Sequence, residues 1–453
     1  MVLPVAAGLS ACSGVAWTRR VVPHGVALAS AAVGGARAHR RYTLGEMWRR
    51  GGRLLRSGVG LVLVLVLGLG LPLTVGAQQA QAPTLLVDDA AAAATAGDLV
   101  QSSLGVPAGV SDVGSHTLSA PAGFGVRVIA AGLSQPRFMA FDDAGNLLVA
   151  AAGAGAVYRY PGASGAIAPA PQPPAALISG LDAPSNVALY GGYLYVGETS
   201  AISRYAYDAA TGSVGSREVV VPDLPRGGHG TRTVAFGADG WMYVSVGSSC
   251  NICDETDPRR AAVLRFAPDG SGYERFAWGL RNAVGLAIQP GSGLLWATVN
   301  ERDNQGNEIP PDLVTIVQEG QNFGWPGCQP PAARPQEAGR DCGGISPPTI
   351  GIQAHSAPLG LAFYTGQAFP PEYANDLFVV QHGSWNRQPP APPQVLRIHF
   401  DGDQPSSVRT FLTGWQDEGG NRWGRPAGVV VAPDGSLIVS DDQAGLLYRV
   451  SFS

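Results

Sequence analysis

The 453-residue chain holds 62 glycines and 36 prolines, more than a fifth of its length, and only 14% charged residues against the roughly 25% usual in soluble domains. Such composition suits many short strands joined by turns and excludes a helical bundle or coiled coil. All 30 basic residues are arginine, which excludes Schiff-base chemistry on a lysine, and residues 78–453 carry 21 Arg against 33 acids, an acidic body that disfavours nucleic acid and anionic lipid as partners.

Residues 1–77 hold nine arginines and one acid, Glu46. Arg49, Arg50, Arg53 and Arg56 precede an apolar run over 58–75, which ends in Val75-Gly76-Ala77 before a polar Gln-Gln-Ala-Gln. This order predicts an export signal cleaved near Ala77, with Met47 as the start. The rival reading is an uncleaved membrane anchor over 58–75. The expected location is therefore the periplasm or cell envelope. Residues 78–120 are Ala-rich with little periodicity and are expected to form a flexible linker.

From residue 121 to 453 a unit recurs six times. A short apolar strand is followed by a small loop, a second strand, a tight turn such as Pro433-Asp434-Gly435, and two more strands. The last strand carries Arg159, Arg204, Arg265, Arg397 or Arg449 in five units, with Thr315 near that place in the fourth. Six units of four short strands predict an all-β, six-bladed β-propeller. In this phase residues 126–133 complete the blade containing 446–452 and close the ring, which removes open sheet edges.

Without the leader and its Cys12, four cysteines remain. Export predicts the disulfides Cys250–Cys253 and Cys328–Cys342. Zinc is the rival, weakened by the 74 residues between the pairs. Asp254, not His, follows the second cysteine, so haem attachment is excluded.

Topology sends the loops entering each innermost strand and the loops leaving the next strand to one face. The first set brings Arg137, His229, Arg281-Asn282, His355 and Arg425 to the channel mouth. The second brings the polar loops 248–257, 300–311, 382–393 and 441–443. Three histidines, His229, His355 and His382, converging with arginines predict at least one proton acceptor there. Arg281 suits a planar carboxylate, or a bridge between blades. Trp325, Trp385 and Trp423 suit the floor under a flat ligand, or core. The oxygen-rich run Asn300-Glu301-Arg302-Asp303 suits Ca²⁺ or a solvated loop.

These residues resemble the PQQ-dependent glucose/sorbosone dehydrogenases, six-bladed quinoproteins, over roughly residues 121–453. The resemblance lies in GGHGTRTVAFGADG from Gly227, GLRNAVGLAIQPGSG from Gly279, VNERDNQGNEIPPD from Val299, NFGWP from Asn322, HGSWNR from His382 and WGRPAGVVVAPDGSLIVSDD from Trp423. SSCNICDE from Ser248, with HGSWNR, is closer to the sorbosone branch.

What the resemblance implies is PQQ bound with Ca²⁺ in the mouth and a sugar or aldehyde above it. His229 would be the general base, and Arg281 the cation that stabilises negative charge on the quinone. Asn282 and Arg425 would hold the cofactor, with Trp385, Asn386 and Arg387 beside it. Arg387 takes the place of a lysine this chain lacks. The loop of Glu301, Arg302 and Asp303 would carry the metal. Ser248 stands where an acid supports the base in glucose-oxidising members, so Glu255 or Asp254 is expected to substitute. Electrons would pass to an external acceptor, a cytochrome or quinone. The alternatives are a calcium-dependent lactonase and a propeller that only binds carbohydrate.

Overall fold

The computed structural model describes residues 84–86 and 98–453, apart from 107, 109–112, 114, 164–165, 330–333 and 336–340. The export signal or anchor expected in 1–77 lies outside the described residues. Among the described residues no helix is long and apolar enough to cross a membrane.

Six antiparallel sheets make the six blades. From the innermost strand outward, blade 1 is Pro136–Phe141, Leu147–Ala151, Ala156–Tyr160 and Ala176–Ile178. Blade 2 is Asn186–Tyr190, Tyr193–Glu198, Ala201–Asp208 and Glu218–Val221. Blade 3 is Val234–Phe236, Met242–Val246, Ala262–Phe266 and Glu274–Trp278. Blade 4 is Ala283–Ile288, Leu295–Val299, Asp312–Val317 and Ile350–Ile352. Blade 5 is Pro358–Phe363, Leu377–Gln381, Gln394–Asp401 and Gln404–Thr413. Blade 6 is Pro426–Val431, Leu437–Asp441 and Leu446–Phe452, completed by Phe124–Ala130 from the other end of the domain. That closure pairs Phe452 with Phe124 and Val450 with Val126, so the first and last strands hide each other's edges.

The innermost strands approach closely around the axis. A Cβ on Gly285 would lie 2.2 Å from the Leu359 carbonyl, and one on Gly428 2.6 Å from that of Arg137. Glycine at these places lets neighbouring blades meet backbone to backbone. Between blades, the second and third strands supply the apolar cores, including the fully buried Trp296. The repeated arginines pin their strands to neighbouring acids. Arg204 and Arg265 pair with Glu218 and Glu274 on the outermost strands, whereas Arg397 and Arg449 pair with Asp376 and Asp434 in the turns.

Part of the segment expected as linker is built into the sheets. Leu85–Leu86 pairs in parallel with Ile350–Ile352. Leu99–Ser103 and Thr117–Pro121 form a hairpin that joins the outer strand of blade 5 through Thr413 and Ser119. Buried Leu118 and Ala120 explain why it docks. Both expected disulfides, Cys250–Cys253 and Cys328–Cys342, are present.

Candidate active site

The loop 227–233 enters blade 3 and is wrapped around one side chain. Arg232, fully buried, donates to the carbonyls of His229 (2.9 Å), Thr231 (2.8 Å) and Pro225 (2.6 Å). Gly228, at φ +62°, lets the loop run against the neighbouring chain, since a Cβ there would lie 2.5 Å from the Ser248 carbonyl. His229 Nδ1 then sits 2.9 Å from that carbonyl and 3.1 Å from Ser248 Oγ. A carbonyl only accepts, so Nδ1 carries the proton and Nε2 keeps its lone pair. Nε2 has no hydrogen bond among the described residues. Burial, then the positive charge of Arg281, hold the imidazole pKa down to about 4, against the opposing pull of the Ser248 bond.

Glu255, one of the two acids expected to support the base, does not reach the imidazole. It accepts from Ser249 N (2.6 Å) and Ser249 Oγ (2.8 Å) instead. The carbonyl of Ser248 orients the ring, a role that any residue type at 248 can fill.

Arg281 enters blade 4 and is bound to the same loop, because its carbonyl accepts from Ser248 N at 2.8 Å. Its buried guanidinium donates to Asn251 O (3.1 Å), Asn300 O (3.2 Å), Glu301 O (2.8 Å) and Asp303 Oδ2 (2.7 Å). Asn282 and His229 flank Gly247, where a Cβ would lie 2.4 Å from Asn282 Oδ1 and 2.6 Å from His229 Cβ. Imidazole, guanidinium and amide therefore form one group.

Asp303 ties this group to the loop of blade 5, since its Oδ1 accepts from Asn386 Nδ2 at 3.1 Å. The other two residues of the expected metal loop face inward. Glu301 is buried with its carboxylate 3.5 Å from Arg302 Nε, and Arg302 NH2 donates to Cys328 O (2.8 Å). Burial raises the Glu301 pKa. Arg387 is bound to the 300–311 loop, with NH1 on Asn307 O and NH2 3.1 Å from Glu308. Trp385 is 71% exposed, whereas Trp325 and Trp423 are packed in the interior. His355 donates Nε2 to Gly306 O at 2.7 Å and so pins that same loop.

A second charged group lies at the junction of blades 5, 6 and 1. Asp442 takes Arg137 NH1 at 2.5 Å and His382 Nε2 at 2.8 Å. Burial alone would raise the Asp442 pKa, but His382 and Arg137 bring it down to about 2. Arg425 donates to the carbonyls of His382 (3.0 Å) and Gly383 (3.1 Å), and Arg422 to those of Ser384 (2.6 Å) and Ala391 (3.2 Å). Their hydrogen bonds go to neutral oxygens, while Asp442 and Asp441 act on Arg425 through charge.

Two buried amide oxygens, Asn282 Oδ1 and Asn386 Oδ1, lack a hydrogen-bond partner among the described residues. Such atoms cost about 1–3 kcal/mol each unless a donor or cation meets them. Orphaned oxygens beside Asp303, with Arg281 and Arg425 at the same face, fit an anionic planar ligand and a hard cation. Arg232, Asn251 and Asp442 were not singled out in the sequence, although Asn251 and Asp442 lie in the polar mouth loops 248–257 and 441–443 and Arg232 in GGHGTRTV; Arg137 was placed at the mouth without its partner Asp442.

The TrAA12-like family matches residues 118–331 and 317–452. A protein of Borreliella burgdorferi with no assigned activity is 32% identical over 219 residues, 47% of this chain and 57% of its own. The aldose sugar dehydrogenase YliI of Escherichia coli is 26% identical over 252 residues, 51% of this chain and 62% of its own. This chain thus spans about 57–62% of those curated relatives. The structure of the holo pyranose dehydrogenase PQQ domain from Coprinopsis cinerea shares the fold, with TM-score 0.65 and 22% identity over 77% of this chain and 98% of that one. With the family match covering nearly all of the propeller, the chain belongs to the TrAA12-like family.

Proposed function

We propose that the protein is a PQQ-dependent dehydrogenase that oxidises a sugar hydroxyl or aldehyde hydrate and passes the electrons to an external cytochrome or quinone. The observation that carries this reading is the Nδ1–H tautomer of His229, set by Ser248 O at 2.9 Å, which leaves Nε2 as an acceptor beside Arg281. The aldose and pyranose dehydrogenases among its relatives and structural neighbours support it.

PQQ, when bound, supplies a two-electron oxidant that accepts hydride. Arg281, Asn282 and Arg425 would hold it, and the oxygens of Asp303 and Asn386 are donors suited to Ca²⁺. His229 Nε2 takes the substrate hydroxyl proton. A base with so low a pKa does this only in concert with departure of hydride from the same carbon, because a free alkoxide would take the proton back. Arg281, already oriented by four acceptors that include Asp303, would stabilise negative charge that develops on the bound group.

The test is turnover of an aldose and aldehyde panel by purified protein given PQQ, Ca²⁺ and an artificial acceptor. Activity that needs PQQ and falls on chelation supports the reading. Lactone hydrolysis with Ca²⁺ alone, or sugar binding without oxidation, refutes it. Arg425→Ala is expected to weaken PQQ binding by about 1–3 kcal/mol, the scale of a hydrogen bond to a charged group. Unchanged affinity by fluorescence titration would place the cofactor carboxylates elsewhere.

Export belongs to the same proposal and is supported by the two disulfides, which a reducing cytosol would open. N-terminal sequencing of envelope-fraction protein is expected to start near Gln78. Cytosolic protein retaining residues 48–77 would contradict it.

A further inference from the structure

The loop that leaves the second strand of blade 3 has no strand or helix between residues 247 and 261, yet it contacts His229, Arg281 and Asp303. The Cys250–Cys253 disulfide closes its start into a four-residue ring. Within that ring every polar atom of Asn251 beyond its own N–H is used. Its carbonyl accepts from Arg281 Nε at 3.1 Å and from Trp325 Nε1 at 3.0 Å. Its amide side chain brackets the backbone of Asp303, with Oδ1 accepting from Asp303 N (2.7 Å) and Nδ2 donating to Asp303 O (3.0 Å). The neighbouring Cys250 carbonyl accepts from Ser248 Oγ at 2.7 Å, and Ser248 is the residue that sets the His229 tautomer.

We propose that Asn251, held in the Cys250–Cys253 ring, is a positioning residue that seats Arg281 against Asp303, while the ring as a whole holds Ser248 against His229. Asn251 touches neither substrate nor cofactor in this assignment. It acts by joining the blade 3 loop to Arg281 and Asp303, which stand just beyond the Ala283–Val299 end of the paired strands of blade 4. The reciprocal pair with Asp303 fixes two atoms of one peptide segment, so a hinge about a single bond is blocked. An unconstrained loop would sample many conformations and place the cation and base out of register. This inference rests on the proposed dehydrogenase reading for its kinetic consequence, but its structural content does not.

The test uses two variants, Asn251→Ala and the double variant Cys250→Ser/Cys253→Ser, in the full chain. On protein without cofactor, ¹⁵N NMR reports the His229 tautomer through its ring couplings and the Arg281 seat through solvent exchange of its Nε–H. Wild type is expected to show the Nδ1–H form and a protected Nε–H. Asn251→Ala is expected to keep the tautomer and speed Arg281 Nε–H exchange by about tenfold or more, and the double variant to show both tautomers as well. In loaded enzyme, kcat falls by about 10- to 100-fold with KM changed by less than about threefold, as expected for misplacement on the scale of an ångström.

Wild-type tautomer and exchange in both variants would overturn the proposal and leave the disulfide a staple for stability. If the double variant does not fold, exchange in Asn251→Ala decides alone. If wild-type protein oxidises no sugar, the dehydrogenase reading fails, and the NMR result still decides this one.

Discussion

His229→Gln is expected to lower turnover by about 10²- to 10⁴-fold, the usual contribution of a placed general base. Glutamine keeps a polar side chain but offers no basic nitrogen, and cofactor binding should survive because arginines carry it. The pH dependence follows from the site. With the pKa held down to about 4 by burial and by Arg281, the neutral, active imidazole predominates above about pH 5. Turnover is expected to be flat there and to fall as pH drops through the pKa. An anion bound beside Arg281 offsets that guanidinium and moves the falling limb upward, toward but not past the ordinary value near 6.5.

Stability carries the same sign. His229 and His382 both titrate near 4 in the folded protein and have the ordinary value of 6.5 as reference. Between those values the unfolded chain binds more protons than the folded one. Their contribution is full above about pH 6.5 and is lost as pH falls toward 4. Chemical denaturation at pH 7 and pH 5 measures it. A pH profile centred above 7, or His229→Gln with normal turnover and normal cofactor content, would remove His229 from the mechanism.

Arg281→Leu is expected to be the second large effect. The change strands Asp303 Oδ2 and the carbonyls of Asn300 and Glu301, and leaves the Asn251 carbonyl with Trp325 Nε1 as its remaining donor. Loss of a preorganised charge of this kind costs about 10²- to 10³-fold in kcat. Folding stability falls by about 1–3 kcal/mol as bonds to a charged donor are lost. Arg281→Lys should recover little, because an ammonium cannot reproduce a planar fork that serves four acceptors. Steady-state kinetics with thermal melts separate the two losses. Near-normal kcat in Arg281→Lys would show that charge alone matters and the fork does not.

Much of the fold was legible because a propeller repeats its chemistry. Turn glycines and the apolar alternation recur around the ring, and an arginine recurs on the third strand of five blades, so ring closure by Phe124–Ala130 against Leu446–Phe452 followed from the phase of the pattern. The disulfides followed from an even cysteine count in a chain read as exported. The 99–121 hairpin was missed because its strands are only five residues each, too short for alternation to stand out in an Ala-rich segment, and docking rests on Leu118 and Ala120 against an edge formed nearly 300 residues later. His229, Arg281 and Asn282 were found as side chains at loop ends. The partners that orient them were not, since Ser248 acts on His229 through its carbonyl and Asn251 serves Arg281 through its own. Backbone acceptors leave no residue-type signature, which is why an acid was expected where a carbonyl does the work.

The central claim is that this mouth joins a base to a bound two-electron oxidant. Its most direct test is an anaerobic absorbance titration of protein loaded with PQQ and Ca²⁺. The account predicts that an aldose or aldehyde accepted as substrate bleaches the bound-cofactor spectrum in one equivalent per site, and that His229→Gln binds the cofactor with the same spectrum but is bleached at least about 10²-fold more slowly. A loaded spectrum that no sugar or aldehyde alters, or a chain that fails to bind PQQ while hydrolysing lactones with Ca²⁺, would contradict it.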